Sequence, residues 1–409
     1  MTFRKGIFVR TRYAGSGVRR PAMGRGKIAA LGIAGAVVAG VAGGAFVLSG
    51  SARLSLSDHS TRALSRHSSH AASSWSFSTL DNQNDPTFNQ LLGINNHGQI
   101  AGYFGSGAQG HPNQGYLLNL SRNGSWYANE NVPHTVQTQV TGLNDLGVTV
   151  GFWSGQNTAS QSNDNIGFYA SGGHFHSVAF PTRNNASPPV NQLLGVNDSD
   201  VAVGFYTDAK GNNHGYAYSI TRHWFHTVRM GGTTSLTATG INNEGDIAGF
   251  FTNLAGVVKA FLLYPDGRVT TLAFPGAAST QAFGVNDARE VVGTYTTGSG
   301  NGAKTFGFTW SPFAGFRSVS DPLGLGTTTI NGVNDAGDLV GFYTDAAGNT
   351  DGLLWAASRH TAPVARGLAR PVTPAGTPAK PATPATSVTV APSPTPTATV
   401  NTSGQPTHW

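Results

Sequence analysis

At 409 residues the chain is long enough for two or three average domains, yet it contains no cysteine, which excludes disulfides, thiolate metal sites and cysteine nucleophiles together. Its net charge of +6 lies at the ends: residues 1–74 hold eleven Lys/Arg and one Asp, residues 75–357 hold ten and eighteen acids, and residues 358–409 hold four and none. The central region is therefore acidic, and the basic balance gives no support for a nucleic-acid partner.

Residues 1–27 carry eight Lys/Arg and no acid, and an uncharged run of 21 residues, Ile28 to Leu48, follows. That order predicts an export signal within residues 1–50. Either Gly50-Ser51-Ala52 is a small-x-small cleavage site, or residues 28–48 stay as a membrane anchor with their positive flank in the cytoplasm. Both readings place the rest of the chain outside the cytoplasmic membrane. Arg19-Arg20 resembles a twin-arginine signal, but Pro21 and Gly24 lack the bulk such a signal uses, so a plain basic flank is the first reading. Residues 51–74 are rich in Ser, His, Ala and Arg, have little to bury, and read as a linker.

From Gly93 onward one phrase recurs six times, a Gly-hydrophobic-Asn-Asn/Asp opening with a second glycine nine residues after the first. The openings are Gly93-Ile94-Asn95-Asn96, Gly142-Leu143-Asn144-Asp145, Gly195-Val196-Asn197-Asp198, Gly240-Ile241-Asn242-Asn243, Gly284-Val285-Asn286-Asp287 and Gly332-Val333-Asn334-Asp335. A period near 48 residues that carries short β-patterned runs and no helical pattern predicts a propeller blade. In the fourth repeat the strands are expected at 238–241, 246–251, 258–264 and 268–274, with Asn, Asp and Gly supplying the left-handed conformations of the tight turns. The sixth repeat has no fourth strand after Trp355, whereas Phe77-Ser78-Thr79-Leu80, ahead of the first repeat, matches Phe316-Arg317-Ser318-Val319. The expected fold is all-β: a six-bladed propeller of four-stranded antiparallel blades over residues 75–357, closed by an N-terminal strand and flanked by disordered segments. Residues 358–409, rich in Pro, Ala and Thr, are expected to form an extended, disordered tail.

The repeated Gly-Ile/Val-Asn-x-x-Gly-x-Ile/Val-Ala/Val-Gly, followed by His214-Gly215-Tyr216 or Lys259-Ala260-Phe261, resembles the bacterial extracellular HAF-repeat proteins, named for a His-Ala-Phe motif. The resemblance covers all six repeats. It implies an exported repeat protein and brings no catalytic residues with it.

Loops joining second to third strands vary most, at 105–114, 154–165, 207–213, 252–257, 296–305 and 344–351, and a rigid scaffold presenting variable loops is where binding concentrates. The aromatics that close the second strands, Phe104, Trp153, Tyr206, Phe251, Tyr295 and Tyr343, are expected to ring the channel beneath that face; with Asp208, His214 and Asp345 they form the candidate ligand-binding set. Repeated aromatics also suit packing between blades, which is their first reading. The similar loops Asp208-Ala209-Lys210-Gly211-Asn212 and Asp345-Ala346-Ala347-Gly348-Asn349 read as hairpin turns. Turns such as Asn334-Asp335-Ala336-Gly337-Asp338 are too short to wrap calcium. His174 with His176, and His223 with His226, suggest a metal but sit in a mixed polar series that fits solvent-facing positions better. No nucleotide, hydrolase or metalloprotease motif stands in its required context, so no cofactor, metal or catalytic set is expected. The expected function is a non-enzymatic binding or scaffold module for an extracellular glycan, peptide or surface protein. The alternative is an extracellular polymer hydrolase or lyase in which Asp164, Asp208, His214 and Asp345 meet at the channel.

Overall fold

The computed structural model describes residues 75–357 apart from 109, 121–125 and 156–163. The expected export signal, the 51–74 linker and the Pro/Ala/Thr tail lie outside the described residues.

Six four-stranded antiparallel sheets follow one another around an axis, a six-bladed propeller. Five blades are contiguous in sequence, and the sixth takes its outer strand from Trp75–Thr79, which pairs with Thr350–Ala357 in the register Trp75↔Ala357 to Thr79↔Leu353. The closure is reinforced by side chains. Trp75 stacks on Trp355 with ring centroids 4.6 Å apart, Thr79 Oγ1 lies 2.7 Å from the Tyr343 hydroxyl, and the Gly352 N–H donates to Asp81 Oδ1 at 3.0 Å. The strands of the fourth blade are Thr233–Ile241, Ile247–Asn253, Val258–Leu263 and Val269–Leu272, so its inner strand begins five residues earlier than the sequence pattern predicted. Polar Thr and Ser at 233–235 hid that extension, because they break the apolar run while Thr233 and Ser235 still pair in the ladder.

Each inner strand carries a bulge at the same place, one residue before the opening glycine: Leu92, Thr141, Leu194, Thr239, Phe283 and Asn331 have no partner in the register. A bulge re-aims a side chain, and these six line the channel. The opening glycines themselves form a ring of backbone contacts around the axis. A Cβ on Gly93, Gly195 or Gly240 would sit 3.0 Å from the Cα of the next blade's glycine. The second glycine of the phrase is fixed by a different contact, since a Cβ on Gly204 or Gly341 would lie 1.9 Å from the carbonyl oxygen of Gln192 or Thr329 on the neighbouring strand.

The Asn-Asn/Asp turns have a role beyond backbone conformation. Asn95 Nδ2 donates to the Asn144 carbonyl, Asn144 to Asn197, Asn197 to Asn242, Asn242 to Asn286, Asn286 to Asn334, and Asn334 back to Asn95, at 3.0–3.3 Å. Each of these buried asparagines also accepts a turn N–H on its Oδ1, as Asn144 does from Leu146 and Val148. Both halves of the amide are used, so aspartate cannot replace it: a carboxylate has no donor. A second closed ring joins the following residues, each backbone N–H donating to the next blade's Oδ1, from Asn96 to Asp145, Asp198, Asn243, Asp287, Asp335 and back to Asn96. For this backbone bond the position needs only an acceptor, which explains why both Asn and Asp serve there, two and four times. The two asparagines occupy opposite blades, and each Nδ2 donates to the carboxylates on either side.

The spaces between blades are filled by separate apolar clusters, built on residues such as Val150, Tyr216, Phe261, Phe308 and Leu353. Burial of these side chains supplies the stability that a cysteine-free chain cannot draw from disulfides.

Candidate functional site

The six aromatics that close the second strands stand at equivalent positions but do not ring the channel. Each packs in a different inter-blade cluster: Phe104, Trp153, Tyr206, Phe251, Tyr295 and Tyr343 belong to six separate ones. Phe251, Tyr295 and Tyr343 are buried there. The reason is strand alternation: Tyr103 and Phe152, one residue earlier, line the axial cavity, whereas Phe104 and Trp153 turn into the space between blades. The axis itself is narrow, with cavities of about 60, 70 and 100 Å³ bordered in turn by the bulge residues, the opening glycines and the Asn-Asn/Asp turns.

A cavity of about 390 Å³ lies off the axis, over the loop end of the third blade. Phe180 bounds it from the connector that enters the blade, Tyr206 and His214 from the blade's second and third strands, Thr227 from its outer strand, residues 228–230 from the connector into the fourth blade, and residues 233–236 from the start of that blade's inner strand. The rings are stacked in series: Phe180 on Tyr206 with centroids 4.7 Å apart and planes 16° off parallel, and Tyr206 on His214 at 5.0 Å and 19°. Tyr206 and His214 are direct partners in the strand register, which places the two rings side by side.

Asp208 fixes the imidazole. Its Oδ2 lies 2.9 Å from His214 Nε2, while its Oδ1 accepts the N–H groups of Lys210 and Asn212 at 2.8 and 2.9 Å. Burial works to raise this carboxyl, but the hydrogen bonds from His214, Asn212 and Lys210 together outweigh it and hold it at about 2. An ionised carboxylate only accepts, so Nε2 carries the proton and Nδ1 is left for another partner. The loop is the expected hairpin turn, and in blade three it is also a clamp on the histidine.

This combination occurs in one blade. The residue opposite the second-strand aromatic is Gln114, Ile166, His214, Lys259, Phe306 and Asp351 in turn around the ring. The fifth blade shows the contrast: Phe274 stacks on Tyr295 at 3.6 Å, but the series continues into Phe306 and the position is simply packed. In the sixth blade the near-identical loop at Asp345 repeats the turn, with Ala347 and Asn349 N–H on Oδ1, but Asp351 replaces the histidine. Burial raises Asp351, and the neighbouring Asp345 raises it further; burial likewise pushes Asp81 up to about 6 against the Gly352 hydrogen bond, with Asp351 and Asp345 adding to the rise. That seam concentrates negative charge, opposite in character to blade three.

The four groups expected to meet at the channel in the enzymatic alternative do not. Asp208 and His214 pair in blade three, Asp164 accepts the Gly155 N–H in blade two, and Asp345 sits across the ring in blade six. His174 and His176 are exposed on an outer strand, with His176 stacked on Tyr169, and His223 lies in a left-handed turn before its strand, 3.0 Å from the Tyr218 hydroxyl. Among the described residues no group of three or more His, Asp and Glu is placed to hold a metal ion.

Phe180, Arg229 and Ser235 belong to the site and were not singled out by the loop pattern, because the first two lie on blade-to-blade connectors and Ser235 on the unpredicted start of the fourth blade's inner strand. A signal existed in the alignment of those connectors: Val178-Ala179-Phe180, Val228-Arg229-Met230 and Leu272-Ala273-Phe274 coincide, and only the middle one carries a cation.

No protein-family profile matches the chain, and no curated protein matches it. Solved structures with a similar fold include YjhT, at 12% identity and a TM-score of 0.44 over 68% of this chain and 97% of that one. A fungal lectin from Aleuria aurantia, described as a six-bladed β-propeller with a novel fucose recognition mode, aligns at 10% identity and 0.42 over 65% and 92%. The acylaminoacyl peptidase of Pyrococcus horikoshii aligns at 12% and 0.39 over 65% of this chain and 43% of its own. The likeness extends to the fold alone, and lectin and peptidase share it.

Proposed function

We propose that the protein is an exported, non-enzymatic saccharide-binding propeller whose site is the cavity over blade three. The observation that carries this reading is the Phe180–Tyr206–His214 ring series walling a cavity of about 390 Å³. Aromatic rings offer an apolar surface to the C–H face of a pyranose, and hydroxyl and amide groups around them suit its alcohols. Thr227, Thr233, Thr234 and Ser235 supply such hydroxyls. Asn213 is pre-ordered by bonds from its Nδ2 to Thr237 Oγ1 and from Thr207 Oγ1 to its Oδ1. A site held rigid in this way loses little entropy on binding. The second reading, a polymer-cleaving enzyme, is weaker because the Asp208–His214 pair has no second acid beside it in the cavity.

Export rests on the basic flank of residues 1–27, the apolar run after it and the resemblance to HAF-repeat proteins. Protease added to intact cells is expected to degrade the repeats, or the culture medium to contain them; a protease-resistant, purely cytoplasmic protein contradicts export. Binding is tested by probing a glycan array with the full chain and reading both retention and cleavage. Retention of a saccharide family without cleavage is expected, and products of cleavage would favour the enzyme.

A further inference from the structure

We infer that the saccharide is anionic and that Arg229 pairs with its negative substituent, a carboxylate or a sulfate ester. The inference rests on the binding site proposed above and names its ligand class. Arg229 borders the cavity and is exposed, it forms no ion pair among the described residues, and no Asp or Glu shares the lining with it. Asp208, behind the lining, is committed to His214 and to its own loop. The other connectors hold Asp81, Asn131, Ala179, Ala273 and Ser320 where this one holds Arg229, so the cation is a property of this site and not of the repeat.

The wider charge makes the placement informative. Residues 75–357 carry ten Lys/Arg against eighteen acids, and an anionic ligand is repelled by most of this surface. Screening confines that repulsion to about 8 Å at physiological ionic strength, which leaves an isolated guanidinium effective at short range. Guanidinium presents a planar fork of donors that matches a carboxylate or sulfate edge, and charge-assisted bonds of this kind are the stronger ones. Stacking on the ring series would then hold the sugar ring while Arg229 takes its charge.

The test is calorimetric titration of the full chain with matched pairs: oligogalacturonate, alginate oligosaccharide and sulfated dextran, each against its carboxyl-reduced or unsulfated counterpart. At least one acidic member is expected to bind about ten-fold more tightly than its neutral counterpart, and the pair that shows this identifies carboxylate or sulfate. Arg229→Gln is expected to bring the two members within about two-fold, and Arg229→Lys to keep part of the preference. Arg229 is exposed, so folding of both variants is not in question, and circular dichroism checks it. Equal affinity within every pair, or a preference that survives in Arg229→Gln, overturns the inference while leaving a neutral-saccharide site standing. Binding of no saccharide on the array or in these titrations overturns both.

Discussion

A chain lacking residues 51–82 is expected to melt far below one lacking residues 51–73. The shorter deletion spares Trp75–Thr79, and the longer one removes the outer strand of the sixth blade together with Leu80, which is buried. The loss includes the ladder to Thr350–Ala357, the Trp75–Trp355 stack, the Thr79–Tyr343 hydroxyl contact and the Asp81 bond to Gly352. It also bares a long strand edge, which invites association between chains. A fall of at least about 10 °C, with aggregation, is the expected result of differential scanning fluorimetry on the two proteins. Coincident melting curves would show that the ring is held shut by something other than this strand.

The second large effect is expected at the axis. Asn144→Ala removes the donor to the Asn197 carbonyl and the acceptor of the Leu146 and Val148 N–H groups at once, all of them buried or partly buried. Each unsatisfied buried group costs about 1–3 kcal/mol, so a loss of about 2–4 kcal/mol is expected after partial relaxation, a drop of about 5–15 °C at this size. Asn144→Asp keeps the acceptor but loses the donor and buries a charge, and is expected to do no better. Asp145→Asn is the control. It lies in the outer, more exposed ring, where Oδ1 still accepts the Asn96 N–H and only the exposed bond from Asn96 Nδ2 is lost, and the effect is expected to stay within about 1 kcal/mol. Chemical denaturation of the three variants measures the order; equal effects at Asn144 and Asp145 would contradict the two-ring account.

The blade count and the closing strand were legible because both rest on repetition, and repetition at a period of about 48 residues leaves few architectures. The asparagine was legible as a turn residue but not as part of a ring, since the carbonyl it serves is 44–53 residues away and any turn-former would have explained a single copy. The bulge was invisible: Leu92, Thr141, Leu194, Thr239, Phe283 and Asn331 share no chemistry, and only the register exposes them. The second-strand aromatics were expected at the channel because the face of alternation was misassigned by one position: Tyr103 and Phe152, not Phe104 and Trp153, line the axial cavity. Tyr206, Asp208 and His214 were found in sequence as loop-face residues, whereas Phe180 and Arg229 required knowing that two connectors frame the same cavity.

Within a ring of near-equivalent blades, a functional site is expected where one blade departs from the others in chemistry while keeping the shared backbone. Blade three does so at His214 and Arg229. Blade six carries the same loop and an equivalent tyrosine, but with Asp351 in the histidine's place, and so provides an internal comparison.

The most direct measurement is the affinity of the array's best saccharide for four proteins: the unmodified chain, Tyr206→Ala, His214→Ala and Asp345→Ala. Loss of about 1 kcal/mol or more in the Tyr206 and His214 variants, with Asp345→Ala unchanged, is the expected result. Affinity unchanged in the blade-three variants, or lost only in Asp345→Ala, would contradict a site over the third blade.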